Sequence, residues 1–211
     1  QNLISPDKEV RKNGVEFLKN MTDLAADLGA EVLGGVNYAA WGNFTGEFRT
    51  DEEWEWCRES LKEVAQHAQT NDIKIALEPV NRFETYFLNT ASDARKLVEE
   101  IGEPNVGIHL DTFHMNIEEK NFYDPIITAG DKLYHFHICE NDRGVPGTGH
   151  VGWKETFSAL KEIDYNRTVV VESFVPEMKE VATQTAIWRE IAPSADAILQ
   201  GALDVFEEYT T

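Results

Sequence analysis

Residues 106–111 read VGIHLD and residues 133–138 read LYHFHI, and the order of side chains in these two runs decides the fold. In the first, Val106, Ile108 and Leu110 alternate with Gly107, His109 and Asp111. In the second, Tyr134, Phe136 and Ile138 alternate with Leu133, His135 and His137. Alternation with a period of two is the mark of a strand. One face is apolar and suits packing under helices. The other is small or polar and carries a residue able to bind a metal, Asp111 in one run and His137 in the other. Run 73–78, IKIALE, repeats the pattern, with Ile73, Ile75 and Leu77 set against Lys74, Ala76 and Glu78. A fourth apolar run, TVVVES (168–173), ends at Glu172 and Ser173.

Glu78, Asp111, His137 and Glu172 follow one another in steps of roughly 30 residues, the length of one strand–helix unit. The segments between them carry apolar residues at helical spacing. Helices are predicted over 9–28, 51–70 (Asp51 as N-cap), 92–101, 124–129, 154–163, 181–190 and 194–209. A further short strand is read in EVLGG, 31–35. Segments 112–123 (after VGIHLD) and 139–153 (CENDRGVPGTGHVGW) read as loops. Strands alternating with helices predict a parallel sheet with crossover helices. Polar residues from several strands share one side only around an enclosed centre, such as the axis of a (β/α)8 TIM barrel. In such barrels chemistry sits at the C-terminal strand ends, where all four residues lie. Five strands are read where a closed barrel has eight. The expectation is therefore a single α/β domain over 1–211, formed by the C-terminal five βα units, with about the first three units missing.

Bulk composition fits a globular chain: 42% hydrophobic and 27% charged residues exclude both disorder and a membrane-embedded protein. No apolar stretch approaches the ~20 residues of a membrane span. The opening QNLISPDKEV lacks the basic and apolar regions of a signal peptide. A net charge of −19 repels nucleic-acid phosphates and anionic membranes. Cys57 and Cys139 are the two cysteines, read as free thiols in a cytoplasmic protein, where the three Asn-x-Thr acceptors carry no meaning.

Two glutamates, one aspartate and one histidine form a hard-leaning donor set for a divalent metal. Carboxylates on opposite sides of a small substrate can take a proton from one face and return it to the other, and a metal between them would polarise a carbonyl. Each carboxylate alone also reads as a helix N-cap or a satisfied strand-end residue. His114 stands three residues after Asp111, close enough to reach a substrate oxygen. Arg143 can anchor a polar oxygen or pair with Glu140 or Asp142. Glu84 can bond hydroxyls or pair with Arg82. Trp41 and Phe174 follow strand ends and offer apolar walls. His109 and His135 fall one layer below the ligands, and His150 fits either role. Nucleophilic and dinucleotide chemistry is unsupported: neither G-x-S-x-G nor G-x-G-x-x-G occurs.

The strings LGGVNYAAW, ALEPVNRFETYFLNT, HLDTFHMNIEE, HFHICENDRGVPGTGH and VVVESF resemble the ketose 3-epimerases, the D-tagatose and D-psicose 3-epimerase group of xylose-isomerase-like barrels. The resemblance runs from about Glu31 to the C-terminus. It implies that Glu78, Asp111, His137 and Glu172 ligate a divalent metal, commonly Mn2+ with Co2+ or Mg2+ as substitutes. It implies that Glu78 and Glu172 are also the acid/base pair. Glu84, His114 and Arg143 would hold the O1–O3 end of a ketose, and Trp41 and Phe174 would form the pocket's apolar wall. The implied reaction is C3 epimerisation of a free ketose through a cis-enediolate, in a protein that forms a homodimer or homotetramer. Three other readings stay open on the residues alone. An aldose–ketose or hydroxypyruvate-type isomerase would use the same metal. A non-catalytic sugar- or metal-binding barrel would need no acid/base pair. A metallonuclease on the same barrel conflicts with the acidic charge.

Overall fold

The computed structural model describes residues 1–174 and 179–210. All five strands form within the runs read as strands: β1 (Val32–Gly35), β2 (Lys74–Leu77), β3 (Val106–Asp111), β4 (Leu133–Ile138) and β5 (Val169–Val171). The helices are α1 (Lys8–Asp27), α2 (Asp51–Gln69), α3 (Ala91–Ile101), α4 (Thr112–Glu118), α5 (Asp124–Ala129), α6 (Trp153–Glu162), α7 (Lys179–Gln184) and α8 (Ala195–Thr210). Contacts divide the chain into two compact units, one of residues 1–110 with 128–135, the other of 111–127 with 136–211.

In the first unit β1 pairs in parallel with β2, Val32 opposite Lys74, and β2 pairs in parallel with β3, Ile75 opposite Val106. Ile73, Ile75, Leu77, Ile108 and Leu110 are buried, as the apolar face requires. Over them lie helices whose buried positions recur every three or four residues, such as Cys57, Leu61, Val64 and Ala68 on α2. Helix starts are fixed by side chains that satisfy otherwise unpaired backbone N–H groups. Asp7 caps α1 by accepting from Glu9 N at 2.8 Å, and Thr90 caps α3 by accepting from Asp93 N at 3.2 Å. For α2 the cap is Thr50 rather than the expected Asp51. Thr50 Oγ1 accepts from Glu53 N at 3.1 Å while Glu53 Oε2 accepts from Thr50 N at 2.7 Å, a reciprocal capping box. Gly102 ends α3 at φ +73°, in the left-handed region that glycine enters without steric cost.

In the second unit β4 pairs in parallel with β5, with Phe136, His137 and Ile138 opposite Val169, Val170 and Val171. Helix α6 packs with α8 through aromatic contacts, Phe157 against Phe206 at 5.8 Å and stacked on Tyr209 at 6.0 Å. Burial along β4 alternates as predicted: Phe136 and Ile138 are buried, whereas His135 and His137 are half-buried. Two differences from the sequence reading matter. Residues 112–118, read as loop, form α4, because Asp111 supplies a cap that the apolar pattern does not reveal. The helix expected over 181–190 is instead α7, Lys179–Gln184. Both cysteines are free and buried, as expected.

Candidate active site

Three of the four strand-end residues converge within the second unit. Asp111 ends β3, His137 lies one residue before the end of β4, and Glu172 follows β5 directly. Their ligand atoms lie within 4.8 Å of one another. His137 Nδ1 is 3.3 Å from Glu172 Oε2 and 3.6 Å from Asp111 Oδ2. Strand geometry explains the meeting. His137 stands opposite Val170, and Glu172 is two residues further along, hence on the same face.

Asp111 divides its two oxygens between two tasks. Oδ1 accepts from Phe113 N at 2.8 Å and caps α4, while Oδ2 faces the cluster. The cap reading of Asp111 holds through Oδ1, and Oδ2 stays free of the cap to face the cluster. Capping fixes the carboxylate's rotation and points Oδ2 at its partners.

Arg143 enters the same cluster from the 139–152 loop. Its Nη1 is 2.6 Å from Asp111 Oδ2 and 2.8 Å from Glu172 Oε2. Phe113 stacks under the guanidinium at 4.2 Å, Phe174 lies at 5.6 Å, and His114 Nε2 is 3.4 Å from Nη2. The local alternatives for Arg143 are not what forms: Asp142 instead pairs with Arg189 at 2.9 Å. Cys139, read from the sequence only as a free thiol, is buried beside the site, with its Sγ accepting from Arg143 Nη1 at 2.8 Å. Its carbonyl accepts from Thr112 Oγ1 at 2.6 Å, which ties the end of β4 to the start of α4.

Electrostatics follow from this packing. Burial disfavours the charge on Asp111, but Arg143 and His137 outweigh it and hold the carboxyl well below its usual range. Burial likewise works against a charged His137, yet the Asp111 and Glu172 carboxylates raise its pKa to about 9. Burial pushes the Cys139 thiol well up, with Asp111 adding to the effect, which favours the neutral thiol over the thiolate. Two carboxylates and an imidazole with ligand atoms this close are a donor set that can hold a divalent cation. Arg143 already sets one positive charge between the two carboxylates.

The first unit holds Glu78, Glu84 and Trp41. Glu78 is buried just past β2; its Oε2 is 3.4 Å from His109 Nδ1, and its carbonyl accepts from Tyr38 Oη at 2.7 Å. His109 meets His135 edge-on at 4.8 Å; His109 is buried and His135 half-buried. Glu84 is gripped from two sides, by Trp41 Nε1 and by Asn81 Nδ2, each at 2.8 Å. The ring of Trp41 is half exposed beside it. His150 bonds Asn116 Oδ1 at 3.0 Å.

Residues 1–198 match the family described as xylose isomerase-like TIM barrel. A D-psicose 3-epimerase of Ruminiclostridium cellulolyticum is 39% identical over 99% of this chain and 73% of its own length. The crystal structure of a D-allulose 3-epimerase from Methylomonas sp. in complex with D-allulose superposes with a TM-score of 0.93 at 34% identity, covering 99% of this chain and 73% of that one. A D-psicose 3-epimerase from Clostridium cellulolyticum H10, solved with D-tagatose, gives 0.90 at 36% identity over the same shares. Among the described residues no helix is long and apolar enough to cross a membrane.

Proposed function

The chain belongs to the xylose isomerase-like TIM barrel family and to its ketose 3-epimerase group, and on that premise we propose that it inverts C3 of a free ketose with the aid of a divalent metal, Mn2+ in the first instance. The observation that carries the proposal is the approach of Asp111, His137 and Glu172 to within 4.8 Å. These three residues and Glu78 would be the ligands. Bound there, the cation supplies Lewis-acid polarisation of the ketose carbonyl, which acidifies the adjacent C3–H.

Glu172 and Glu78 are the acid and base. One takes the proton from C3, the substrate passes through a cis-enediolate, and the other returns a proton to the opposite face. Two carboxylates are needed because a single base returns its proton to the side it came from. Asp111, held by its cap and by Arg143, stays ionised and does not compete for the proton. Arg143 and His114 orient the O1–O3 end, and Arg143 also balances negative charge as the enediolate develops. Glu84, fixed by Trp41 and Asn81, accepts from a substrate hydroxyl. Trp41 and Phe174 give the sugar an apolar wall.

The test is turnover of D-fructose, D-tagatose and D-ribulose by the Mn2+-loaded protein in D2O, read by NMR. The expected product is the C3 epimer with deuterium at C3. Aldose products with label at C1 or C2 would mean isomerisation on the same residues. No turnover of any ketose would leave a sugar- or metal-binding protein.

A further inference from the structure

Glu140 is fully buried two residues past the end of β4, and the loop that follows is wrapped around it. Its Oε1 accepts from Val151 N at 3.0 Å and from Asn141 N at 3.1 Å, and its Oε2 accepts from Gly147 N at 2.9 Å. Three backbone N–H groups of the loop, that of the buried Val151 among them, thus end on one carboxylate. The fit is close: a Cβ on Gly149 would lie 2.5 Å from Glu140 Oε1, so only glycine lets the backbone pass there.

The same loop carries Arg143 in an uncommon conformation. Its φ is +64°, a left-handed value that non-glycine residues hold only when their surroundings impose it. The surroundings here are Arg143 N donating to Glu140 O at 2.9 Å and Ser173 Oγ donating to the Arg143 carbonyl. This conformation delivers the guanidinium to Asp111 and Glu172.

We propose that Glu140 is a positioning residue: its carboxylate, by gathering the N–H groups of Asn141, Gly147 and Val151, holds the 141–151 loop in the shape that sets Arg143 against Asp111 and Glu172. It touches no substrate and acts through Arg143. The proposal rests on the epimerase reading for its kinetic consequence, though not for its structural one. Glu140→Gln is the sharpest substitution, because the amide keeps the volume but turns an N–H donor toward backbone donors.

The experiment is a double-mutant cycle in the Mn2+-loaded protein, with Glu140→Gln, Arg143→Ala and the pair, read as kcat/KM on a ketose. Glu140→Gln alone should lower kcat/KM by about tenfold or more, since small misplacements of an orienting group carry penalties of that order. In the Arg143→Ala background it should cost less than about threefold further. Losses that multiply, or a Glu140→Gln enzyme within about twofold of wild type, would overturn the proposal. If Glu140→Gln does not fold, Glu140→Asp replaces it, with the same coupling expected. Amide exchange in the unmodified protein judges the structural half separately. Gly147 and Val151 N–H should exchange as slowly as those of β4, and rapid exchange would sink the idea. A wild type that turns over no ketose would count against the epimerase reading, and the exchange result would still decide the role of Glu140.

Discussion

Arg143 Nη1 lies 2.6 Å from Asp111 Oδ2, and both side chains are buried. Each depends on the other, because a buried charge stripped of its partner is costly by several kcal/mol. Arg143→Ala should therefore destabilise the metal-free protein by about 3–5 kcal/mol. Mn2+ would supply a replacement positive charge near Asp111 and Glu172. Denaturation midpoints with and without Mn2+ should show the variant gaining more from the metal than wild type does. An equal gain in both would show that Arg143 and the metal do not share those carboxylates.

His137 gives a pH dependence with a definite sign. Burial opposes its charge, but Asp111 and Glu172 raise its pKa to about 9, above the ordinary value of 6.5. A raised pKa means that its ion pairs stabilise the metal-free fold fully below about pH 6.5, and that this contribution is lost as pH rises through about 9. Metal has the opposite preference, since an imidazolium cannot ligate. Binding below pH 9 should release about one proton, and apparent affinity should rise with pH up to about 9. Calorimetry of Mn2+ binding at pH 7 in buffers of different ionisation enthalpy measures that proton. In a His137→Gln variant the release should disappear.

The strands and most helices were legible because their signal is local. Alternation in VGIHLD and LYHFHI states which face is buried, and α1, α2 and α3 repeat apolar residues at helical spacing. What sequence alone could not show was what one side chain does with two atoms. Asp111 read as a ligand or as a cap, and it is a cap through Oδ1 while Oδ2 faces the site. Helix α4 was missed for that reason, since its start is written in a hydrogen bond and not in an apolar period. The partners of Arg143 were missed in the same way. Local spacing offers Glu140 and Asp142 as one of two alternatives, while the guanidinium reaches Asp111 and Glu172, far away in the chain. Glu140 left only an indirect trace, a carboxylate ahead of a run containing Gly144, Gly147 and Gly149, where glycine marks close backbone approach.

Glu172 and Glu78 carry the reaction in the proposed mechanism, and each should be separable from a purely metal-holding residue. Glu172→Gln and Glu78→Gln keep an oxygen donor but lose the ability to move a proton. At saturating Mn2+, each should lower kcat by about 10²–10⁴-fold, the usual range for losing a general acid or base. Metal content, checked by atomic absorption, should remain near one ion per chain. A substitution that empties the site and cuts turnover only in proportion would identify a ligand without an acid/base role.

Gly107 tests the packing inside the first unit. It lies in β3 two residues before His109, and a Cβ placed there would meet the ring of Tyr134 and come 2.6 Å from the Lys132 carbonyl oxygen. Backbone cannot yield as a flexible side chain does, and Tyr134 is itself held by its Oη donating to Pro104 O at 2.7 Å. Gly107→Ala should cost about 1–3 kcal/mol, the range for overpacking a close-packed interior. Paired with Tyr134→Ala, which removes the ring contact but leaves the Lys132 carbonyl in place, the extra cost of Gly107→Ala should shrink without vanishing. Urea denaturation of the four proteins measures both. If Gly107→Ala proves neutral in the unaltered background, β3 and β4 are not packed as tightly as this contact requires.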